Sequence, residues 1–288
     1  MVSIVYNRLM ANVAIVAASV LGLFVCFVAA VWLFQEKIAF QPQRAPFPPD
    51  SGVPRVEYTA SDRQKLFAYV IGDPSAAPGL LIAFHGNADL AIRQVEWAKE
   101  ILRRTGIAVM IVEYRGYMGL AGKPTYQGSR LDADAAYRFA IDSLRVPAGS
   151  IAFFGHSLGT AIAAELASRN QPAALVLQSP FTSARDMSRI IIGRRPADLT
   201  WNAVSRLHFD TKSIVAALNA PVSVVHGDRD RLIPPRMGET VFESAKVKGK
   251  WLLVPEASHN DVEQSGGDAY WDWLVGALEP LRTAAIQR

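Results

Sequence analysis

The sequence predicts one α/β domain built on a mostly parallel, doubly wound sheet and preceded by one transmembrane helix. Three observations carry this. Short, nearly continuous apolar runs recur along the chain, as strands buried on both faces of a parallel sheet require. Helical patterns separate most of these runs over about 230 residues, which calls for right-handed crossovers. The stretch from Leu9 to Phe34 holds no charged residue.

That N-terminal stretch comes first. Thirteen of the 24 residues from Ala11 to Phe34 are Val, Ile, Leu or Phe. As a helix it is ~36 Å long at about 1.5 Å per residue, enough to cross the hydrocarbon. Insertion is favoured by roughly 6 kcal/mol against the milder cost of Asn12 and Ser19. A cleaved signal peptide has a shorter apolar region and a small-x-small cleavage site, so residues 9–34 are expected to be an uncleaved single-pass anchor. Arg8 on one flank balances Lys37 and Arg44 on the other and sets no orientation. Residues 41–54, QPQRAPFPPDSGVP, with five prolines, read as a semi-rigid spacer reaching at most ~43 Å. The anchor is therefore expected to add nothing to the domain at 55–288.

Within that domain RVEYTA and KLFAYVI form a leading hairpin around Ser61-Asp62. The strands LLIAFHG, IAVMIVEY, SIAFFG, AALVLQSP, PVSVVHG and KWLLVPE follow. Helices are expected at 90–104, 130–144, 161–170, 236–246 and 269–281. Residues 181–219 are too long for a simple connection, carry two helical pieces that are both basic and apolar, and read as a cap over the sheet.

Composition narrows the chemistry. At 288 residues and a net charge of +4, the basic excess is small and dispersed, which argues against a nucleic-acid partner. The single cysteine, Cys26, lies in the anchor and supports neither a disulfide nor a thiolate metal cluster.

The chemical signal is Gly155-His156-Ser157-Leu158-Gly159, a G-x-S-x-G placed between an apolar strand and an alanine-rich helix. Two glycines there permit a sharp turn that lifts a serine hydroxyl above the sheet edge, with a helix N-terminus behind it. A serine needs a base to become a nucleophile. Of five histidines, His85 and His226 end strands, His156 is expected to face away from Ser157, and His208 lies in the cap. His259 follows the last strand and is the expected base. The carboxylate that orients it should follow the preceding strand, where Asp228 and Asp230 both stand; one is expected to serve the histidine and the other to cap a turn. Leu158 and Asn87 are expected to offer oxyanion-hole N–H groups, with Ala88 as second choice to Asn87, and His85 to brace that loop.

FHGNAD, EYRGYMGLAGKPTYQG, GHSLGT, HGDRD and ASHND together resemble the α/β-hydrolase superfamily, and within it the small membrane-anchored serine hydrolases, the abhydrolase domain-containing proteins. The resemblance covers roughly residues 55–284. It implies the α/β-hydrolase fold with a short cap, Ser157 as nucleophile, Asp230 rather than Asp228 as acid, His259 as base, and Asn87 with Leu158 at the oxyanion hole. Where relatives usually carry Asp-Tyr-Arg-Gly-Tyr-Gly-x-Ser, this chain has Glu113-Tyr114-Arg115-Gly116-Tyr117-Met118-Gly119-Leu120, a change expected to reshape the acyl pocket.

The expected function is a membrane-anchored serine hydrolase cleaving a small-molecule carboxylic ester or thioester through an acyl-enzyme, with no cofactor and no metal. An amidase or peptidase shares every step up to the leaving group. A metal hydrolase would have to use Asp228, Asp230, Glu256 and His259, a set with one histidine and no helical two-histidine motif. A non-catalytic, membrane-tethered binding module would show a broken catalytic set, and here every expected member is present. Oligomeric state is not legible.

Overall fold

The apolar runs pair into one eight-stranded sheet of order β1-β2-β4-β3-β5-β6-β7-β8. A computed structural model describes residues 2–43 and 52–286, so most of the proline-rich stretch expected as a spacer lies outside the described residues. The strands are β1 (Arg55–Thr59), β2 (Lys65–Ile71), β3 (Leu80–Phe84), β4 (Ala108–Val112), β5 (Ile151–His156), β6 (Leu175–Gln178), β7 (Val222–Gly227) and β8 (Lys248–Val254). The hairpin β1-β2 and the β2-β4 pair are antiparallel; every later pairing is parallel. Every residue of β3 and β4 is buried, which explains their unbroken apolar runs. At the sheet edge β8 is largely half-exposed, so burial on both faces does not extend to it.

Ten helices accompany the sheet among the described residues: α1 (Val2–Ala39), α2 (Val95–Thr105), α3 (Tyr126–Asp142), α4 (Leu158–Arg169), α5 (Ala184–Ile191), α6 (Arg194–Val204), α7 (Thr211–Ala217), α8 (Pro235–Ser244), α9 (Val262–Ala277) and α10 (Glu279–Ile286). Helix α3 begins four residues earlier than its apolar pattern suggests, because the Thr125 side chain accepts from Gly128 N–H and caps it. Helices α3, α4, α7 and α8 form one layer, and α2 packs with α9 in the other.

The 181–219 interval holds three helices where the sequence suggested two. Of these, α7 packs on α4 and α8, within the helical layer. The pair α5-α6 packs on itself instead and leaves Ile190, Ile191 and Leu199 exposed. Part of its basic character is spent internally: Arg185 and Arg189 both donate to Asp198, at 3.0 and 2.7 Å.

Helix α1 contains a 34-residue apolar segment, Tyr6–Ala39, long and apolar enough to cross a membrane. Its C-terminal end departs from the expectation of a detached anchor. Gln35 is 8% exposed, donates to Val204 O (2.8 Å) and accepts from Arg206 N–H (2.6 Å). Arg206 donates to Trp32 O (2.8 Å), stacks over its ring at 4.9 Å, and pairs with Glu36 at 3.4 Å. Phe40 is buried in the core beside Phe209, ring centroids 6.4 Å apart. The physical reason is chemical: once Gln35 leaves water it needs partners, and the end of α6 and the loop after it supply one each.

Truncation separates the two halves of α1. Removing residues 1–28 deletes none of these contacts and should leave the thermal unfolding midpoint in detergent nearly unchanged. Removing residues 1–42 takes out Phe40 as well, and should lower stability by about 3 kcal/mol or more, as loss of a buried Phe does.

Candidate active site

Ser157 sits between β5 and α4 in a backbone conformation that few L-residues adopt, φ 52° and ψ −116°. Its flanking glycines are steric necessities. A Cβ at Gly155 would run into the backbone of Gly159 and Thr160, and one at Gly159 into the carbonyls of Phe84 and His85. Ser157 N–H donates to Gln178 O (3.0 Å), and its carbonyl accepts from Thr160 N–H (3.0 Å) and the Thr160 hydroxyl (2.5 Å). The side chain therefore stands at the C-terminal edge of the sheet, where β3 meets β5 and the strand order reverses.

The loops after β7 and β8 complete the arrangement. Ser157 Oγ lies 2.8 Å from His259 Nε2, and His259 Nδ1 lies 2.7 Å from Asp230 Oδ2. The loop bearing His259 crosses directly over Gly227, where a Cβ would meet the Ala257 and Ser258 carbonyls. The two carboxylates considered from sequence do not divide their duties as expected. Asp230 performs both: Oδ1 accepts from the Leu232 and Ile233 amides (2.9 and 2.8 Å) and closes the turn, while Oδ2 faces His259. Asp228 is exposed. Burial alone would raise the Asp230 pKa, but hydrogen bonds from His226 and His259 outweigh it and hold the carboxyl well below its ordinary range.

Of the carboxylates weighed as metal ligands, Glu256 pairs with Arg229 and Asp228 faces solvent, so they do not converge with His259 and Asp230.

Two residues carry more than the sequence suggested. His226 donates from Nε2 to Asp230 Oδ2 (3.1 Å), and its only sequence signal was a position at a strand end. His156 lies against His259: its ring is 5.3 Å from that of His259 and its Nε2 is 3.3 Å from the His259 carbonyl. Burial, reinforced by the neighbouring His259, pushes the His156 pKa down to about 4. His208 stacks edge-on to Tyr126, away from this cluster.

The loop after β3 supplies the opposite wall. His85 is fully buried between Glu113 Oε1 (2.9 Å) and Gly86 O (2.8 Å). Burial opposes protonation there, yet the Glu113 charge and hydrogen bond carry its pKa upward. Glu113 also accepts from Ala91 N–H at 3.1 Å, which ties down the far end of the loop. Neither the Asn87 nor the Leu158 N–H has a protein acceptor among the described residues. The Asn87 side chain, unremarked in the sequence, joins the loop to α1: Nδ2 donates to Ala39 O (3.0 Å), and Oδ1 accepts from Gln41 N–H (2.7 Å) and Tyr117 OH (2.8 Å).

A cavity of about 1080 Å³ opens above Ser157, bounded by Asn87, Leu158 and His259 on one side and by α1, α5 and α6 on the other. None of residues 113–120 lines it, so the departure at that run does not reshape the cavity wall as expected. Met118 of that run is instead fully buried at φ 49°, close to the Tyr69 hydroxyl.

A family model described as serine aminopeptidase, S33, matches residues 75–208. An uncharacterised protein of Mycobacterium tuberculosis is 31% identical over 273 residues, covering 92% of this chain and 93% of its own. The α/β hydrolase domain-containing protein WAV2 of Arabidopsis thaliana is 27% identical over 283 residues, 90% of this chain and 92% of its own. The solved structure of the Pyrococcus furiosus esterase Pf2001 superposes with a TM-score of 0.62 at 21% identity, covering 83% of this chain and 98% of that one. With its sheet order, its strand-turn-helix at Ser157 and relatives matched over nearly their whole length, the chain belongs to the α/β-hydrolase superfamily.

Proposed function

We propose that the protein is a membrane-anchored serine hydrolase that cleaves carboxylic esters or thioesters through an acyl-enzyme, with Ser157, His259 and Asp230 as its catalytic set. The observation that carries this reading is the unbroken hydrogen-bonded line from Ser157 Oγ through both His259 nitrogens to Asp230, at the floor of a largely apolar cavity. Ser157 and His259 are 7% and 8% exposed, and both line that cavity. The apolar segment of α1 supports the membrane part of the reading.

The steps balance as acyl transfer. Ser157 Oγ attacks the carbonyl carbon while its proton passes to His259 Nε2. The oxyanion accepts from the Leu158 and Asn87 N–H groups, at the positive end of α4. The C–O or C–S bond then breaks, and the leaving oxygen or sulfur takes the proton from Nε2. Water enters, gives a proton to Nε2 and attacks the acyl carbon; the carboxylic acid departs and Ser157 recovers its proton. Asp230 stays ionised, holds His259 in one tautomer and offsets the charge of the imidazolium. A second imidazolium beside it would be repelled, and His156, with its pKa near 4, remains neutral at neutral pH.

An amide would follow the same route with a poorer leaving group, and the serine aminopeptidase description of the matching family keeps that substrate in view. Hydrolysis of a matched ester and amide of one acyl group separates the two, with the ester expected to react faster.

A fluorophosphonate should label Ser157 in the wild type and leave Ser157→Ala unlabelled. Asp230→Asn should lower kcat by about 10²- to 10⁴-fold. Asp228→Asn, at an exposed position, should change it by less than about twofold; equal losses would reject Asp230 as the acid.

The half-buried His156 adds a pH dependence whose sign follows from its depressed pKa. Between about 6.5 and 4 the unfolded histidine binds a proton and the folded one does not, so stability falls as pH drops through that window. The contribution is at most ~3 kcal/mol, and His156→Gln should flatten the slope of unfolding free energy against pH there by up to one proton.

A further inference from the structure

The cavity above Ser157 is not closed by the hydrolase domain alone. Val31, Gln35 and Ile38, spaced i, i+4 and i+7, put one face of α1 into its wall, with Ala39 and Gln41 following. Gln35, Glu36 and Lys37 follow directly on the uncharged stretch Leu9–Phe34, and so stand at headgroup level when that stretch spans a bilayer. Val31 lies four residues further in, ~6 Å toward the hydrocarbon at about 1.5 Å per residue. The cavity wall therefore passes below the headgroups.

Openings of the cavity can be placed from exposed lining side chains. Ile38 and Ile191 both line it and are 50% and 59% exposed, which puts one opening between α1 and α5; Leu232, 58% exposed on the same wall, marks another at the loop after β7. The two cap helices carry further exposed apolar residues: Ile190, next to Ile191 on α5, is 45% exposed and Leu199 on α6 68%. Lys37 on α1 and Arg194 and Arg195 at the start of α6 are exposed, with Arg194 4.0 Å from Asp198, and long basic side chains of this kind can reach from an interface to lipid phosphates. The hydrogen bonds of Gln35 and Arg206 hold α6 against α1, so the cap cannot sit far from the membrane while α1 spans it. At about 1080 Å³ the cavity is at or above the upper end of the ~300–1,000 Å³ that drug-sized ligands occupy, more room than a short ester needs.

We infer that the gap between α1 and α5 is a lateral portal through which the acyl chain of a bilayer lipid ester enters from the membrane to reach Ser157, with the last turns of the anchor as one wall of the acyl site. The inference rests on the serine-hydrolase reading above and names its substrate class: a long-chain lipid ester presented from within the bilayer, with its ester group at headgroup level beside Gln35 and the nucleophile beyond it.

The test uses the full chain in phosphatidylcholine vesicles and two fluorophosphonates, one with an ethyl and one with a hexadecyl chain. With either probe Ser157 Oγ bonds to phosphorus, fluoride leaves, and the serine proton passes to His259. Val31→Trp and Ile38→Trp narrow the portal and should each lower the ratio of long-chain to short-chain labelling rates at least tenfold. Leu23→Trp, on the same helix, absent from the cavity wall and 72% exposed, should leave the ratio unchanged. An unchanged ratio in the two portal variants, with both probes still reacting, overturns the portal and leaves the hydrolase standing. Failure of both probes to label the wild type overturns the hydrolase reading itself. A second measurement needs no variant. A hexadecyl probe with a terminal diazirine, attached to wild-type Ser157 and irradiated, should form its adduct within residues 28–38 or 184–192; adducts confined to other segments overturn the portal.

Discussion

The backbone at Ser157 is the constraint on which the rest of this molecule depends. A serine held at φ 52° costs roughly 1–3 kcal/mol and persists only where its surroundings over-determine it. Here they do. Helix α4 is buried from Leu158 to Ala167, and its alanine-rich sequence reflects how little space remains between it and the strands. Gly155 and Gly159 let the start of that helix lie against β5 and the end of β3, and Ser157 N–H reaches across to β6. Relaxing the turn would require moving a helix that touches three strands and two other helices.

Around that fixed point the protein arranges buried polar groups so that each has a defined charge. Asp230 is ionised in spite of burial because two histidine N–H groups and two backbone amides satisfy it. His156, with no carboxylate on its ring, is pushed the other way. His85, more deeply buried, finds Glu113 and titrates higher than usual. His156 and His85 thus titrate in opposite directions because of their immediate partners, and neither is the histidine hydrogen-bonded to Ser157.

Much of this was legible in the sequence, for reasons that differ by element. The parallel strands were plain because burial on both faces erases polar residues, and Ser157 was plain because glycine on either side of a polar residue at a strand-helix junction has few other uses. That Ser157, Asp230 and His259 meet follows from strand order: β5, β7 and β8 end at the same sheet edge. Spacing did not show that one aspartate both closes the turn and holds the histidine, because a carboxylate has two oxygens and a pattern cannot say where each points. Nor did it show α1 as a cavity wall. An anchor's apolar periodicity looks the same toward lipid as toward protein; Gln35 was the one polar hint. The third helix of the 181–219 interval went unseen because its seven residues span barely two turns.

The carboxylate of Asp230 has one more property. In a free aspartate the two oxygens are interchangeable, and rotation about Cβ–Cγ swaps them without consequence. Here the backbone of residues 232 and 233 grips one oxygen and two imidazoles grip the other, so the group has lost its two-fold symmetry. A ring flip of His259 would carry Nδ1 away from an acceptor that cannot follow it. The orientation of the His259 ring is thereby inherited in part from the main chain of a surface turn.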